Sequence, residues 1–282
     1  MKITKAVITA AGRNQNRLPL QVLVDTDGAE KAAIRIILEE VASAGVEEVA
    51  IIVSPGDREG YAAATKEALL KVQFIEQREA RGYGNALLCA RDFVGGSHFL
   101  HLVSDHLYLS RVAERCAAQL VDVAVAEGCA VSAVQPTREG LLRHYGAVGG
   151  KGVAGKPRHY HVEKVIEKPT PTLAEQELIV PGLRAGHYLC FFGMHVLTSG
   201  VMEILGTQEE ARPGGGVPLS PALSELAGRE KYLAYEVQGR RYNLGERFGL
   251  LNTQLALGLA GKDREEILAQ LVEVLATRPE TV

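Results

Sequence analysis

The stretch that decides the fold is ITKAVITAAG at residues 3–12, which continues as RNQNRLPLQVLVDTDG at residues 13–28. The apolar run Ala6–Ile8 predicts a buried strand, and the Ala-Ala-Gly that ends the first part predicts a tight loop. The second part contains two arginines, Arg13 and Arg17, and no lysine. Small residues let main-chain N–H groups approach a base or a phosphate, and arginines can clamp phosphate oxygens. A surface turn with two solvated arginines is the alternative interpretation.

The composition is that of a globular protein: 282 residues, 46% hydrophobic, 23% charged, with a net charge of −3. This length suits one large α/β domain or two small ones. The charge predicts no attraction to nucleic acid, and few aromatic residues argue against a stacking platform for bases. We find no signal-peptide pattern and no apolar run of the roughly 18 residues that span a membrane. Four scattered cysteines in apolar contexts predict a reduced, cytoplasmic protein: Cys89, Cys116, Cys129 and Cys190.

The first half alternates strand and helix patterns, which predicts a parallel sheet covered on both faces. The predicted strands are Ile3–Thr9, Glu48–Val53, Val72–Ile75, His98–Val103 and Cys129–Val134. The predicted helices are Ala29–Ala44 with Gly45 as C-cap, Tyr83–Val94, and Ser110–Glu127 with Ser110 as N-cap.

The second half changes character, and we interpret the chain as one domain with an elaborated second part. Its predicted strands are Tyr145–Val153, His161–Ile166 and His187–Met194. Residues 170–186 are rich in Pro and Gly and predict an irregular insert. Helical patterns follow at about 247–260 and 263–277.

Ligands bind at the carboxyl ends of strands in open parallel sheets, so the residues that follow each strand are site candidates. After the strand that ends at Ile75, Gln77 carries an amide that can pair with a base edge, and Gly82 allows close backbone approach. An ordinary β-to-α turn is the alternative. After Val103 comes Asp105, which suits Mg²⁺ bridging phosphates or, alternatively, caps the next helix.

Later in the chain, Glu167-Lys168-Pro169 follows a predicted strand. A glutamate and a lysine at one strand end can bind a sugar hydroxyl and a phosphate together. The alternative is an exposed ion pair, which stabilises a fold very little.

The order of these features carries more information than any one of them. The first motif is Ala-Ala-Gly with a following arginine, and the second is Q-x₄-G-x-G-x-A from Gln77. An aspartate after a strand comes next, followed by Tyr145-Gly146 and finally by E-K-P at 167–169. In this order the chain resembles the sugar-phosphate nucleotidyltransferases, most of all the bacterial UTP–glucose-1-phosphate uridylyltransferase branch, over about residues 3–260.

The resemblance implies a Rossmann-like α/β fold, with a mixed, mostly parallel sheet flanked by helices and a smaller sugar-binding β portion. It implies a nucleotidyltransferase domain at 1–262, with a nucleotide-binding half at about 1–140 and a sugar-phosphate half at about 141–246. Residues 263–282 would form a C-terminal helix. Members of this family usually self-associate, so a homo-oligomer is possible.

The implied reaction joins UTP and glucose 1-phosphate into a nucleotide sugar and pyrophosphate, with Mg²⁺. Thymine presents nearly the same edge as uracil, so the base stays open. The resemblance assigns nucleotide binding to Ala10, Ala11, Gly12, Gln77 and Gly82. It assigns the triphosphate to Arg17, Mg²⁺ to Asp105, the sugar hydroxyls to Gly146 and Glu167, and the sugar phosphate to Lys168.

Two positions depart from the family pattern. Leu20 follows Pro19 where the family has a lysine on the nucleotide phosphates, and Asn243 stands where it has a second metal-binding aspartate. Loss of one charge-stabilising group typically slows catalysis ~10²–10³-fold, so the enzyme is expected to be slow unless Arg13 replaces the lysine. Asn243 keeps an oxygen ligand with less charge, and Glu246 is the candidate to compensate.

Two hypotheses about function follow. The first is an active nucleotidyltransferase. The second is a catalytically impaired homologue that binds nucleotide or nucleotide sugar as a regulatory or partner subunit. The paired departures at Leu20 and Asn243 favour the second, whereas retention of Asp105, Glu167 and Lys168 favours the first.

Overall fold

The strands of this computed structural model, which describes residues 1–12 and 16–277, form one large sheet and two small ones. The strands are β1 Lys5–Thr9, β2 Val22–Val24, β3 Glu30–Ala32, β4 Glu48–Val53, β5 Lys71–Glu76, β6 Phe99–Val103, β7 His106–Ser110, β8 Ala130–Arg138, β9 Gly146–Gly152, β10 His159–Glu167, β11 His187–Leu197, β12 Tyr232–Glu236 and β13 Gly239–Asn243.

Helices cover both faces of the large sheet. They are α1 Ala33–Ala42, α2 Arg58–Ala64, α3 Tyr83–Leu88, α4 Arg91–Val94, α5 Cys116–Glu127, α6 Pro171–Glu177, α7 Gly200–Glu210, α8 Leu219–Arg229, α9 Gly249–Ala260 and α10 Arg264–Ala276, with 3₁₀ turns at Leu18–Leu20 and Glu139–His144. No helix within the described part of the chain has the length and apolarity needed to cross a bilayer.

The large sheet has nine strands in the order β5-β4-β1-β6-β11-β8-β12-β10-β9. The β5-β4-β1-β6 side is parallel, as predicted. Beyond it β11 runs antiparallel to β6, β8 and β9, and β10 runs antiparallel to β9 and β12. The mixed α/β fold is therefore confirmed, but the sheet is less parallel than the sequence predicted, because β11 and β10 each run antiparallel to their neighbours. One continuous sheet carries strands of both predicted halves, and their boundaries stay a prediction.

The central strand β1 separates two layers of the core. Ile8 packs on the face covered by α1 and α5, whereas Val7 packs on the opposite face under α3, α7 and α8. This alternation follows from the two-residue period of a strand. Because both faces are covered, β1 is buried along its centre, and only its carboxyl end remains open to a ligand.

Two predicted helix boundaries were wrong, because residues near each predicted start pair with another strand instead. The helix predicted at 29–44 begins only at Ala33, because Glu30–Ala32 pairs with Val22–Val24 as a small ribbon. Ser110 ends strand β7 rather than capping a helix, and its hydroxyl donates to the Glu114 carbonyl at 2.6 Å.

The N-terminus of α5 is capped by a residue from another helix. The Glu40 carboxylate of α1 accepts a hydrogen bond from the Ala117 main-chain N–H at 2.7 Å. Burial raises the pKa of Glu40, while this bond and the Arg115 guanidinium oppose the rise. A capping partner 77 residues away cannot be read from local sequence.

The insert at 170–186 was predicted to be irregular, yet it contains helix α6. Thr170 accepts a hydrogen bond from the Leu173 N–H, and Pro171 occupies the first helical position. Both are ordinary helix-start signals that the Pro and Gly content of the insert concealed.

A row of polar side chains crosses the buried centre of the large sheet. His101 on β6 donates from Nδ1 to the Val7 carbonyl at 2.9 Å and accepts at Nε2 from the Tyr83 hydroxyl at 2.7 Å. Its neighbour His195 on β11 stacks on it and bonds through Nδ1 to Ser132 at 2.5 Å. Burial lowers the pKa of His101 to about 4 and also depresses the pKa of His195.

The lowered pKa values of these two histidines predict that the fold loses stability in mild acid. His101 titrates near 6.5 in an unfolded chain, so between pH 6.5 and about 4 the unfolded state binds one more proton than the folded state. The free energy of unfolding should therefore fall as pH is lowered through this window, by up to ~1.4 kcal/mol per pH unit for each histidine. Urea unfolding across this window checks the slope.

His101→Gln should be less stable at neutral pH and show a shallower slope. His161→Gln, the same change at an exposed histidine, should keep the wild-type slope. Equal slopes in wild type and His101→Gln would contradict the assignment.

Candidate active site

The three predicted strand ends meet in one cleft with a volume of about 490 Å³. Among the predicted site residues, those that line it are Ala10, Ala11, Gly12, Gln77, Gly82, Asp105, Glu167 and Lys168. They come from the ends of β1, β5, β6 and β10, which are far apart in sequence. Convergence at one edge of the sheet is the arrangement expected of a ligand site in an open α/β fold.

Main-chain pairing fixes the strand ends against one another. The Ala10 N–H donates to the Ile52 carbonyl at 2.8 Å, and the Ser104 N–H donates to the Thr9 carbonyl at 3.2 Å. The small side chains of Ala10 and Ala11 are buried, so the backbone itself forms the cleft wall. A phosphate or base can approach such a wall closely.

The amide of Gln77 is held in one orientation by its neighbours. Its Nε2 donates to the Gly82 carbonyl at 3.1 Å and to Asn85 Oδ1 at 2.8 Å. The Asn85 amide is oriented in turn because its Nδ2 donates to Glu209 at 3.0 Å. Both Gln77 N–H groups are thus used within the protein, and its Oε1 is left as an acceptor. This acceptor suits an N–H donor such as the imide of a pyrimidine.

The two glycines after Gln77 allow a distant segment to close over this loop. A side chain at Gly84 would lie 2.8 Å from the Val217 carbonyl oxygen, and Gly82 has φ +105°. Val217 bonds to the loop in both directions, from its N–H to the Arg81 carbonyl and from the Asn85 N–H to its own carbonyl. Gly82 therefore permits the turn, and Gly84 leaves room for the backbone of Val217.

Glu167 and Lys168 lie at the opposite wall of the cleft. Ser220 donates to Glu167 Oε2 at 2.7 Å, and a side chain at Gly146 would lie 2.9 Å from the same oxygen. Glycine at 146 therefore leaves room for the carboxylate. Lys168 has φ +46°, a left-handed conformation that costs a non-glycine residue about 1–2 kcal/mol. Backbone strain of this kind concentrates at functional sites.

A smaller cavity of about 100 Å³ adjoins the cleft and shares Tyr83, Val103 and Glu167 with it. Gly146, Ser220 and His195 also line it. Burial, followed by the charges of Asp105 and Glu167, raises the pKa of Tyr83, so its hydroxyl stays a donor. Sequence reasoning missed Tyr83, Asn85 and Ser220, although Tyr83 and Asn85 occupy the variable positions of the glycine motif.

Two described residues of the loop after β1, Arg17 and Leu20, do not line the cleft. Arg17 is exposed just before the 3₁₀ turn and does not line the cleft. Leu20 packs against the core, with Cδ1 3.3 Å from the position of a side chain at Gly60 of α2. Leucine at this position thus makes an apolar contact between the loop and a helix. Arg13 lies outside the described residues, and its role stays a prediction.

The predicted second metal position, Asn243, is in register with His106, the residue that follows Asp105 of the cleft. Asn243 Oδ1 accepts a hydrogen bond from the Gly245 N–H at 2.8 Å, and Glu246 accepts one from the Tyr145 hydroxyl at 2.6 Å. Both residues line a different cavity, of about 450 Å³. Across residues 1–12 and 16–277, no group of three or more His, Cys, Asp or Glu side chains is arranged to hold a metal ion. The roles of Asn243 and Glu246 in metal binding stay predictions.

Comparison with known families identifies the family of this chain. The family model described as nucleotidyl transferase matches residues 21–242, so the chain belongs to the nucleotidyl transferase family. The match includes Gln77, Asp105, Glu167 and Lys168. The fold and site thus define an enzyme class that transfers nucleotidyl groups.

Two individual relatives have names more specific than that of the family. The chain is 29% identical to UTP–glucose-1-phosphate uridylyltransferase YngB of Bacillus subtilis, covering 97% of this chain and 96% of that protein. It is 27% identical to UTP–glucose-1-phosphate uridylyltransferase 2 of Staphylococcus saprophyticus, covering 97% and 98%.

Two solved structures share the fold. A UDP-glucose pyrophosphorylase complexed with UDP-glucose has a TM-score of 0.73 and 21% identity, covering 90% of this chain and 98% of that one. UTP-bound UGPase from Acinetobacter baumannii has a TM-score of 0.74 and 21% identity, covering 98% and 100%.

The fixed amide of Gln77 gives a direct test of nucleotide recognition. Gln77→Glu keeps the shape but removes both donors, and its carboxylate would face the Gly82 carbonyl and Asn85 Oδ1. Nucleoside triphosphate affinity should fall roughly 10- to 100-fold, as measured by calorimetry with the four common triphosphates. Gln270→Glu makes the same change on the exposed face of α10 and should bind as wild type. Unchanged affinity in Gln77→Glu would exclude Gln77 from recognition.

Proposed function

We propose that this protein is a UTP–glucose-1-phosphate uridylyltransferase that forms UDP-glucose and pyrophosphate. The observation that carries the proposal is one cleft with the Gln77 acceptor and the small-residue loop on one wall and Glu167 and Lys168 on the other. Each wall suits one substrate, the first a uridine nucleotide and the second a sugar phosphate. The names of the relatives support the same pair of substrates.

The chemistry proposed is a direct in-line displacement. A phosphate oxygen of glucose 1-phosphate attacks the α-phosphorus of UTP, the new P–O bond forms, and the bond from the α-phosphorus to the bridging oxygen breaks to release pyrophosphate. Lys168 holds the attacking phosphate and offsets its charge, and Glu167 accepts hydrogen bonds from sugar hydroxyls. Positioning and charge neutralisation supply most of the rate in such transfers.

Magnesium belongs to the same proposal, with Asp105 as its protein ligand. Mg²⁺ is commonly bound by one or two carboxylates together with substrate phosphates rather than by a cage of protein groups. The single carboxylate of Asp105 at the cleft wall fits that mode. When bound, the ion would offset charge on the triphosphate.

Location and assembly complete the proposal. A cytoplasmic location is supported by four free cysteines, which a reducing compartment preserves. Self-association through the last two helices is supported by the exposed apolar side chains of Leu251, Val272, Val274 and Leu275.

Pyrophosphate release tests the activity. Protein mixed with UTP, glucose 1-phosphate and MgCl₂ should release pyrophosphate, more slowly with dTTP and least with ATP, and excess EDTA should stop the release. UTP binding without pyrophosphate release from any triphosphate and hexose 1-phosphate would instead support the binding-only alternative.

The strained backbone at Lys168 gives a prediction that separates stability from activity. Lys168→Gly relieves the left-handed strain but removes the charge, so the melting temperature should hold or rise while the rate falls ~10²–10³-fold. Arg158→Gly is the matched control, since Arg158 has φ +64° and does not line the cleft. It should relieve similar strain and keep the rate within about twofold. Equal rates in the two variants would remove Lys168 from the mechanism.

A further inference from the structure

A second cavity of about 450 Å³ lies between helix α9 and strand β13, beside the catalytic cleft. Its lining residues include Arg240, Arg241, Glu246, Tyr145 and Ala256. Its volume falls in the range of pockets that bind small molecules. Its lining combines positive charge, hydroxyl-binding groups and an aromatic ring.

The charge of Arg241 is only partly compensated by the protein. The residue is 6% exposed, its guanidinium lies 3.7 Å from the centre of the Tyr145 ring, and one Nη donates to the Phe191 carbonyl at 2.7 Å. Its Nε has no hydrogen-bond partner. Neither Arg241 nor Arg240 takes part in any ion pair formed among the described residues. Two arginines against the single Glu246 carboxylate leave the cavity lining with a net positive charge, so an anion in this cavity would be stabilised.

The other polar groups suit hydroxyls rather than a second charge. Gln135 lines the cavity, and its Oε1 is buried without a partner. The Glu246 carboxylate already accepts the Tyr145 hydroxyl and retains further lone pairs for hydroxyl donors. The carboxylate would repel a phosphate placed beside it, so the phosphate end belongs near the arginines and the hydroxyl end near Glu246 and Gln135.

The walls of this cavity are bonded to charged residues of the catalytic cleft. The carbonyl of Tyr145 accepts the Lys168 N–H at 3.1 Å. Leu244, which follows Asn243 of the cavity wall, donates its N–H to the Asp105 carbonyl at 2.8 Å. A ligand that orders Tyr145 and β13 would thus bias the positions of Lys168 and Asp105.

We propose that the second cavity binds a phosphorylated sugar and that its occupancy tightens binding of the sugar phosphate in the cleft. The ligand's phosphate pairs with Arg240 and Arg241, and its hydroxyls bond to Gln135 and Glu246. Coupling between two such sites changes affinity by roughly 5- to 150-fold in typical cases.

Binding is tested by calorimetry with glucose 6-phosphate, and with inorganic phosphate as the second probe. Wild type and Lys168→Gln should both bind glucose 6-phosphate, since Lys168 belongs to the cleft. Arg240→Gln, an exposed change, and Ala256→Phe, which fills the cavity, should each weaken binding at least tenfold. Ala260→Phe, the same change at an exposed position of α9, should bind as wild type.

Three results would overturn the binding proposal. The first is that wild type does not bind glucose 6-phosphate, and the second is that Arg240→Gln and Ala256→Phe leave its binding unchanged. The third is equal affinity for inorganic phosphate, which would show that the cavity recognises an anion and not a sugar. Arg240→Gln keeps the test decisive if Ala256→Phe fails to fold.

Coupling is tested kinetically, and only this second test rests on the proposed function. Saturating glucose 6-phosphate should lower the KM for glucose 1-phosphate at least fivefold in wild type and Ala260→Phe, with no effect in Ala256→Phe. An unchanged or raised KM in wild type would overturn the coupling. Failure of the uridylyltransferase proposal would appear separately, as absent pyrophosphate release with glucose 6-phosphate binding intact.

Discussion

Parallel pairing of the buried strand β1 with β4 and β6 is the constraint on which the site depends. Thr9 is in register with Ile52 on one side and Val103 on the other, so the loops after these strands leave the sheet at one edge. Pairing of β5 with β4 adds the loop that carries Gln77 to the same edge. Backbone hydrogen bonds alone thus bring a small-residue loop, an amide and a carboxylate together, before any side chain contributes.

Glu167 and Lys168, the residues proposed to bind the sugar phosphate, are brought to this edge by antiparallel strands. Strand β11 runs antiparallel to both β6 and β8, which joins the second half of the chain to the parallel sheet. Strands β9 and β10 then present Gly146 and Glu167 opposite each other in register. The close approach of Glu167 to Gly146 follows from that pairing, and Ser220 on α8 fixes the carboxylate from a third direction.

Tyr145 connects the cleft to the second cavity. Its main chain binds Lys168, its ring lies under Arg241, and its hydroxyl binds Glu246. The residue therefore belongs physically to both regions. The departures at Leu20 and Asn243 also become easier to interpret, because each side chain makes a local contact where the family pattern has a charge, Leu20 with the core and Asn243 with the Gly245 amide.

The sequence by itself determined the α/β class, the parallel first half and eight of the residues that line the cleft: Ala10, Ala11, Gly12, Gln77, Gly82, Asp105, Glu167 and Lys168. It could do so because strand periodicity and loop residue types are local properties, and the carboxyl ends of parallel strands meet at one edge by geometry. Only the tertiary structure decided that Glu40 caps α5, that Asn85 orients Gln77, and that Glu246 accepts a hydrogen bond from Tyr145. These contacts join residues brought together by packing, and packing depends on the shape of the whole core, which no local pattern encodes.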